Sequence, residues 1–199
     1  MKKKNSLLNF PRFVSYLFIP PLMNFMIFFY VAVKIEPNET KQIISVLISF
    51  LFGLLIPVVY FVIMRKKGRI DDDDANIRQQ RKNPYLFGIL LTIIAIALSS
   101  FLHLKIEIIA LWVVYFINSL LLLIINKFWK ISAHAMGVAI PMGITIFYSK
   151  MFTMILFIIL ILTGWSRIKL KVHTITQVVL GGILGFLVSG LIFQIFLLI

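Results

Sequence analysis

The sequence predicts an all-α membrane protein: a single domain forming a polytopic bundle of about six to seven transmembrane helices. Three observations carry this. Of 199 residues, 61% are hydrophobic and only 14% are charged, against about a quarter charged in a soluble domain. The mean hydropathy is +1.03. The apolar residues also stand in long runs, and crossing a bilayer as helix takes roughly 20 residues. No cysteine is present, which excludes disulfides and thiolate metal sites.

The first span is placed at Phe13–Val33. The opening stretch MKKKNSLLNFPRFVSYLFIPPLM starts like a signal peptide but lacks a small-residue cleavage site. Its apolar part continues to Val33, so it reads as a retained first helix. Further spans follow at Ile43–Met64, Tyr85–His103 and Ile106–Ile125. The fifth and sixth, Ser132–Tyr148 and Met151–Trp165, are short and joined by a tight Tyr-Ser-Lys turn. Gly137, Pro141 and Gly143 predict a kink in the fifth, which a helix buried among neighbours tolerates. The seventh is Thr174–Ile199. Residues 1–64 thus supply two N-terminal helices, and 65–199 a core with three polar loops on one face.

Seven spans put the N-terminus and the loops at 65–84, 126–132 and 165–174 on one side. That side collects 16 of the Lys and Arg residues, Lys2, Lys3 and Lys4 among them, against 4 on the other. Setting aside five candidate ligands, Arg78, Arg81, Lys82, Lys130 and Arg167, still leaves 11 against 4. Short cationic loops stay in the cytoplasm, so the motif loops and N-terminus are predicted cytoplasmic. Most of the net charge of +13 is this signal plus attraction to anionic lipid head groups. Nucleic-acid binding would want an exposed basic domain, for which the loops are too short.

Three loops on the cationic side share an unusual chemistry: RKKGRIDDDDANIRQQRKNPY, NKFWKISAHAMG and GWSRIKLKVHTITQ. His134 and His173 open the spans that follow the second and third, whereas His103 lies at the opposite face. Guanidinium groups grip phosphate oxygens through paired charge-assisted hydrogen bonds, and helix N-termini add unpaired N–H groups. Ser132 is placed to cap the fifth helix, with His134 in its first turn. One imidazole could attack phosphorus while the other protonates the leaving alkoxide, without a metal. Taken singly, Arg167, Lys169 and Lys171 also read as a membrane anchor, each histidine as structural, and Asp71–Asp74 as a solvated, charge-balancing loop.

These residues resemble the type 2 phosphatidic acid phosphatases, or lipid phosphate phosphatases, which are related to the vanadium haloperoxidases. That pattern has a Lys…Arg-Pro element, a Pro-Ser-Gly-His element and Ser-Arg-x5-His-x3-Asp. The third matches best: Ser166, Arg167, five residues, then His173, with Gln177 where the family has Asp. ISAH, Ile131 to His134, keeps Ser and His, and RQQRKNP puts two residues between Arg81 and Pro84. The resemblance covers roughly residues 65–190 and looks like a divergent bacterial or archaeal branch, at home in a prokaryotic plasma membrane.

Carried over, the resemblance implies His173 as the nucleophile forming a phosphohistidine and His134 as the general acid. Arg167 and Arg81 would bind phosphate, joined by Arg78 or Lys82. Ser132 and the backbone at Ala133 would add hydrogen bonds, and Lys130 would offset the lost glycine. The implied substrate is a phosphatidate-like or polyprenyl phosphate or diphosphate, with no cofactor. Gln177, one turn after His173, can accept the ring N–H but brings no charge. Two other readings stay open. One is a catalytically degenerate member that binds lipid phosphate. The other is a prenyl diphosphate transferase using Mg²⁺ held by Asp71, Asp72, Asp73 and Asp74.

Overall fold

The computed structural model describes residues 9–198. Lys2, Lys3 and Lys4, used above for orientation, and Ile199, the end of the last predicted span, lie outside the described residues. Among those described there are nine α-helices and no strand. They are α1 (Asn9–Leu17), α2 (Pro20–Ile35), α3 (Glu39–Ile48), α4 (Ile56–Lys66), α5 (Lys82–Phe101), α6 (Ile106–Ile125), α7 (Ala133–Thr145), α8 (Lys150–Lys169) and α9 (Ile175–Leu197).

The first predicted span is broken in two. Pro20 and Pro21 lack the N–H groups that would carry α1 forward, and a proline pushes its predecessor into extended backbone. Ile19 sits at φ −67°, ψ 144°, and α1 meets α2 at a 48° bend. The second span runs unbroken from Glu39 to Lys66, but as a π-helical turn between α3 and α4, over Ser49–Leu55. Pro57, two residues past the end of that stretch, has no N–H to donate back into it.

Five helical stretches are long and apolar enough to cross a membrane, six if α1–α2 counts as one bent span. The expected fifth span, Ser132–Tyr148, is corrected. α7 has 13 residues, about 20 Å of helix, against a hydrocarbon core of roughly 30 Å. It is instead the centre of the bundle, buried at every position from Ala135 to Thr145. The sixth span is corrected at its end, because α8 continues past Trp165 to Lys169 and takes Ser166 and Arg167 onto helix.

The outside of the bundle is as apolar as its inside. Met151, Met154, Ile158 and Leu191 are among many large side chains exposed on α8 and α9. In water such a surface is a liability; in hydrocarbon it is solvated. Burial therefore cannot drive the helices together, and close contact at small residues must do so. A methyl added at Gly185 of α9 would lie 2.7 Å from the Met136 carbonyl oxygen of α7, and one at Gly181 2.8 Å from that of Ser132. Between α6 and α9, Asn118 donates to Ser189 Oγ at 3.2 Å inside the core. Phe28 packs on Trp112 with ring centroids 4.2 Å apart.

Hydrogen bonds identify the two ends. Lys41 Nζ donates to the His103 carbonyl at 2.7 Å, joining the α2–α3 and α5–α6 turns. The three motif loops and α1 meet at the other end, as the sequence predicted for His103 and for the loops. Gly185→Ala should destabilise the fold by about 1–3 kcal/mol through overpacking. Gly88→Ala, where the added methyl meets nothing within 4 Å, should cost nothing. Thermal unfolding of both variants in detergent checks the contrast.

Candidate functional site

The two histidines are positioned by helix starts. Ser132 caps α7, its Oγ accepting the Ala135 N–H at 3.3 Å, so His134 falls in the first turn. Thr174 caps α9 within a capping box: its hydroxyl accepts from the Gln177 backbone N–H, and the Gln177 side chain accepts from the Thr174 backbone N–H. His173 stands just before that cap. The two starts are held in register by a backbone bond from Ser132 N–H to the Gln177 carbonyl at 3.1 Å.

Gln177 does two jobs with one oxygen. Its Oε1 accepts from the Thr174 N–H at 3.2 Å and lies 3.0 Å from His173 Nδ1. A backbone N–H can only donate, so the atom facing it is the amide oxygen. Nδ1 must then carry the hydrogen, which leaves Nε2 as a free lone pair. Burial first, then the charge of Arg81, pushes the imidazole down to about 3, against the opposing pull of the Gln177 bond. At neutral pH His173 is an uncharged base with a fixed tautomer.

Two arginines are buried here, and they are satisfied differently. Arg81, 4% exposed, donates from Nε to the Ala75 carbonyl at 2.7 Å, from Nη1 to that of Ile131 at 3.2 Å and from Nη2 to that of Asp74 at 3.4 Å. It staples the acidic loop to the α6–α7 loop. Arg167, fully buried in the last turn of α8, donates from Nη1 to Asp74 Oδ1 at 2.6 Å and to Ser15 Oγ. Its Nε and Nη2 are buried with no acceptor among the described residues. Asp74 also takes Arg12 Nη1 at 2.6 Å. Burial alone would raise this carboxyl, but the charges and hydrogen bonds of Arg167 and Arg12 outweigh it and hold it below the usual range.

Arg81, His134, Arg167 and His173 line one cavity of about 310 Å³, together with Ser15, Asp74 and Ala133. The rest of its wall is mostly apolar, with Ile19, Pro20 and Pro21 at the α1–α2 break, Pro57 and Phe61 of α4, Phe87 of α5 and Leu122 of α6, and adds Asp73, Ser119 and the hydroxyl-bearing Tyr16, Tyr60 and Tyr85. Other expected ligands lie outside it. Lys82 is exposed, and Arg78 offers only its carbonyl, to Asn126. Lys130 donates to Asn76 Oδ1 and is pushed down to about 8 by burial, then by Arg81 and Arg167. Ser132 is buried as a cap.

The four aspartates do not converge on a common point. Asp73 pairs with Arg65 and accepts from Tyr16, Asp72 caps its own loop through the N–H groups of Asp74 and Asn76, and Asp71 uses its backbone N–H on Gln80. No three His, Asp or Glu side chains among the described residues cluster as cation ligands. Sequence reasoning missed Arg12, Ser15 and Tyr16, which α1 brings to the site. Their i, i+3, i+4 spacing marks one polar face on an apolar helix, and that was the available signal.

Because the folded value of His173 lies below its unfolded value of about 6.5, the unfolded chain binds the extra proton between them. Stability should therefore rise with pH from about 3 toward about 6.5 and level off above. His173→Gln should flatten that slope, read as melting temperature against pH. Asp74, whose folded value also lies below its unfolded one, adds a slope of the same sign at lower pH: its contribution is present at neutral pH and lost only below about 4. Asp74→Asn strands a buried guanidinium and should cost about 3 kcal/mol. Millimolar phosphate should stabilise this variant more than the parent.

No family model, curated protein or solved structure matches this chain.

Proposed function

We propose that the protein is a membrane-embedded lipid phosphate phosphohydrolase of the type 2 phosphatidic acid phosphatase kind. The observation that carries this is the lining of the cavity. Two guanidinium groups and two imidazoles line it with Asp73 and Asp74, while most of the remaining wall is apolar. A molecule with a phosphate head and a hydrocarbon tail satisfies both at once. The two unpaired donors of Arg167 suit two phosphate oxygens. The cationic end would face the cytoplasm by the charge count.

In the proposed reaction His173 Nε2 attacks phosphorus and the P–O bond to the lipid breaks. Binding of the anionic phosphate offsets the burial and the Arg167 charge that otherwise hold His134 neutral, and the imidazole so protonated gives its proton to the leaving alkoxide. Nδ1–H stays bonded to Gln177, whose dipole meets part of the positive charge that develops on the ring. Water then attacks the phosphohistidine and gives a proton to His134, the P–N bond breaks, and inorganic phosphate leaves. Each proton is carried by a side chain, so chelation should not slow turnover.

Release of phosphate from phosphatidate or a polyprenyl phosphate in detergent, with and without chelator, tests this. His173→Ala should lower the rate by roughly 10³-fold or more, and Arg167→Ala by about 10²–10³-fold. Full activity in either variant would overturn the mechanism. Gln177→Glu keeps the capping box and adds the missing charge, so it should raise the rate.

A second reading, a lipid-phosphate binder without turnover, is favoured by one contact: Asp74 already occupies Arg167. An inactive parent that gains activity as Gln177→Glu would select it. Loss of activity on chelation would instead revive a transferase working through Asp71–Asp74.

A further inference from the structure

A second opening, sharing no residue with the first cavity, runs along the outside of the bundle between α8 and α9, with a volume of about 720 Å³. That lies within the roughly 300–1,000 Å³ typical of ligand pockets. The two helices touch at Gly164, where an added methyl would meet Val178 Cγ1 at 2.7 Å. Beyond that contact the groove is open. Its walls are Leu160, Ile161, Gly182 and Ile183, and Met142 of α7 forms the floor.

The groove is not apolar throughout. Lys169 and Lys171 line it at the end that carries the motif loops, and no acidic residue lines it anywhere. Both lysines are exposed, and among the described residues neither has a carboxylate within ion-pair distance. Lys171 also has an unusual backbone. It follows the last turn of α8 at φ +57°, the left-handed position that ends helices and is normally glycine. A lysine there gives up conformational ease and places its ammonium at the groove. Trp165 shares this end, 43% exposed. Indoles favour the head-group level of a bilayer, so the lysines stand at that depth and the apolar walls below it.

We propose that this groove is a binding site for an anionic bilayer phospholipid, separate from the catalytic cavity. An acyl chain lies between α8 and α9, and the charged head group rests on Lys169 and Lys171. The charges decide the class of lipid. A zwitterionic head group gains little from two ammonium groups, whereas a net negative one is attracted to both, as in other basic clefts between membrane helices. The site does not depend on hydrolysis and stands or falls apart from it.

Trp165 is a built-in reporter. With Trp129→Phe, the remaining other indole, Trp112, is wholly buried in the core and gives a constant background. The variant is placed in phosphatidylcholine nanodiscs with increasing brominated phosphatidylglycerol or brominated phosphatidylcholine. Quenching by the anionic lipid should reach half its maximum at a mole fraction at least threefold lower. Lys169→Gln with Lys171→Gln should bring the two curves together without altering helix content. Identical curves in the parent, or a preference that survives the double substitution, would overturn the proposal. If Trp129→Phe fails to fold, native mass spectrometry decides the matter on the otherwise unaltered chain. It should retain phosphatidylglycerol over phosphatidylcholine, and lose that retention when both lysines are replaced.

Discussion

The contact between α7 and α9, backbone against backbone at glycines, is the constraint on which the rest depends. In hydrocarbon no hydrophobic force gathers the helices, so two axes come this close only where side chains are absent. Gly181 and Gly185 remove them, and the carbonyls of Ser132 and Met136 fill the space. That approach lets the Ser132 N–H reach the Gln177 carbonyl. It therefore sets where both helices begin and which residues can stand at their starts. His134 and His173 share a cavity wall because each belongs to a capped helix start, and the starts are bonded to each other.

The charges around that wall follow from burial. Two guanidinium groups are taken out of solvent and only Asp74 is brought in with them. Arg81 is stabilised by three carbonyl dipoles, which satisfy its donors without cancelling its charge. Arg167 shares Asp74 with Arg12 and keeps two donors unpaired. Buried unpaired donors are costly, and the whole cluster is left cationic. Its field adds to burial in holding His173 neutral. An entering phosphate would supply the missing negative charge and the missing acceptors together.

What could be read from the sequence was what depends on short range. Ser132 as a cap, His134 two residues inside it and Gln177 one turn after His173 follow from helical spacing alone, and each is found. The broken first span was within reach too, since Pro20 and Pro21 are visible; a continuous apolar run outweighed them. The short α7 was not legible, because hydropathy cannot tell a helix buried by neighbours from one that crosses lipid. Nor was the choice among Arg78, Arg81, Lys82 and Lys130. A 3₁₀ turn over Arg78–Arg81 rotates one of these inward, and no periodicity announced it. Asp74 lies 93 residues from Arg167 and Ser15 lies 152 from it, so those contacts exist only once the helices are packed.

The glutamine shows how these levels meet. Where the phosphatase pattern has a carboxylate, Gln177 is tied into the cap of its own helix and into His173 through the same oxygen. A carboxylate there would face Arg81 as well as the imidazole, and its charge would raise the ring's affinity for protons. In a cavity already holding two arginines, a neutral acceptor keeps the resting histidine unprotonated, as the proposed attack requires. In the proposed reaction the cost comes later, when the ring would bear phosphorus and positive charge. Of the carboxylates around the cavity, Asp74 is the one bound to Arg167, the group proposed to hold the phosphate. The negative charge that Gln177 lacks is present instead on Asp74, in the lining of the same cavity and bound to the arginine proposed to hold the phosphate rather than to the proposed nucleophile.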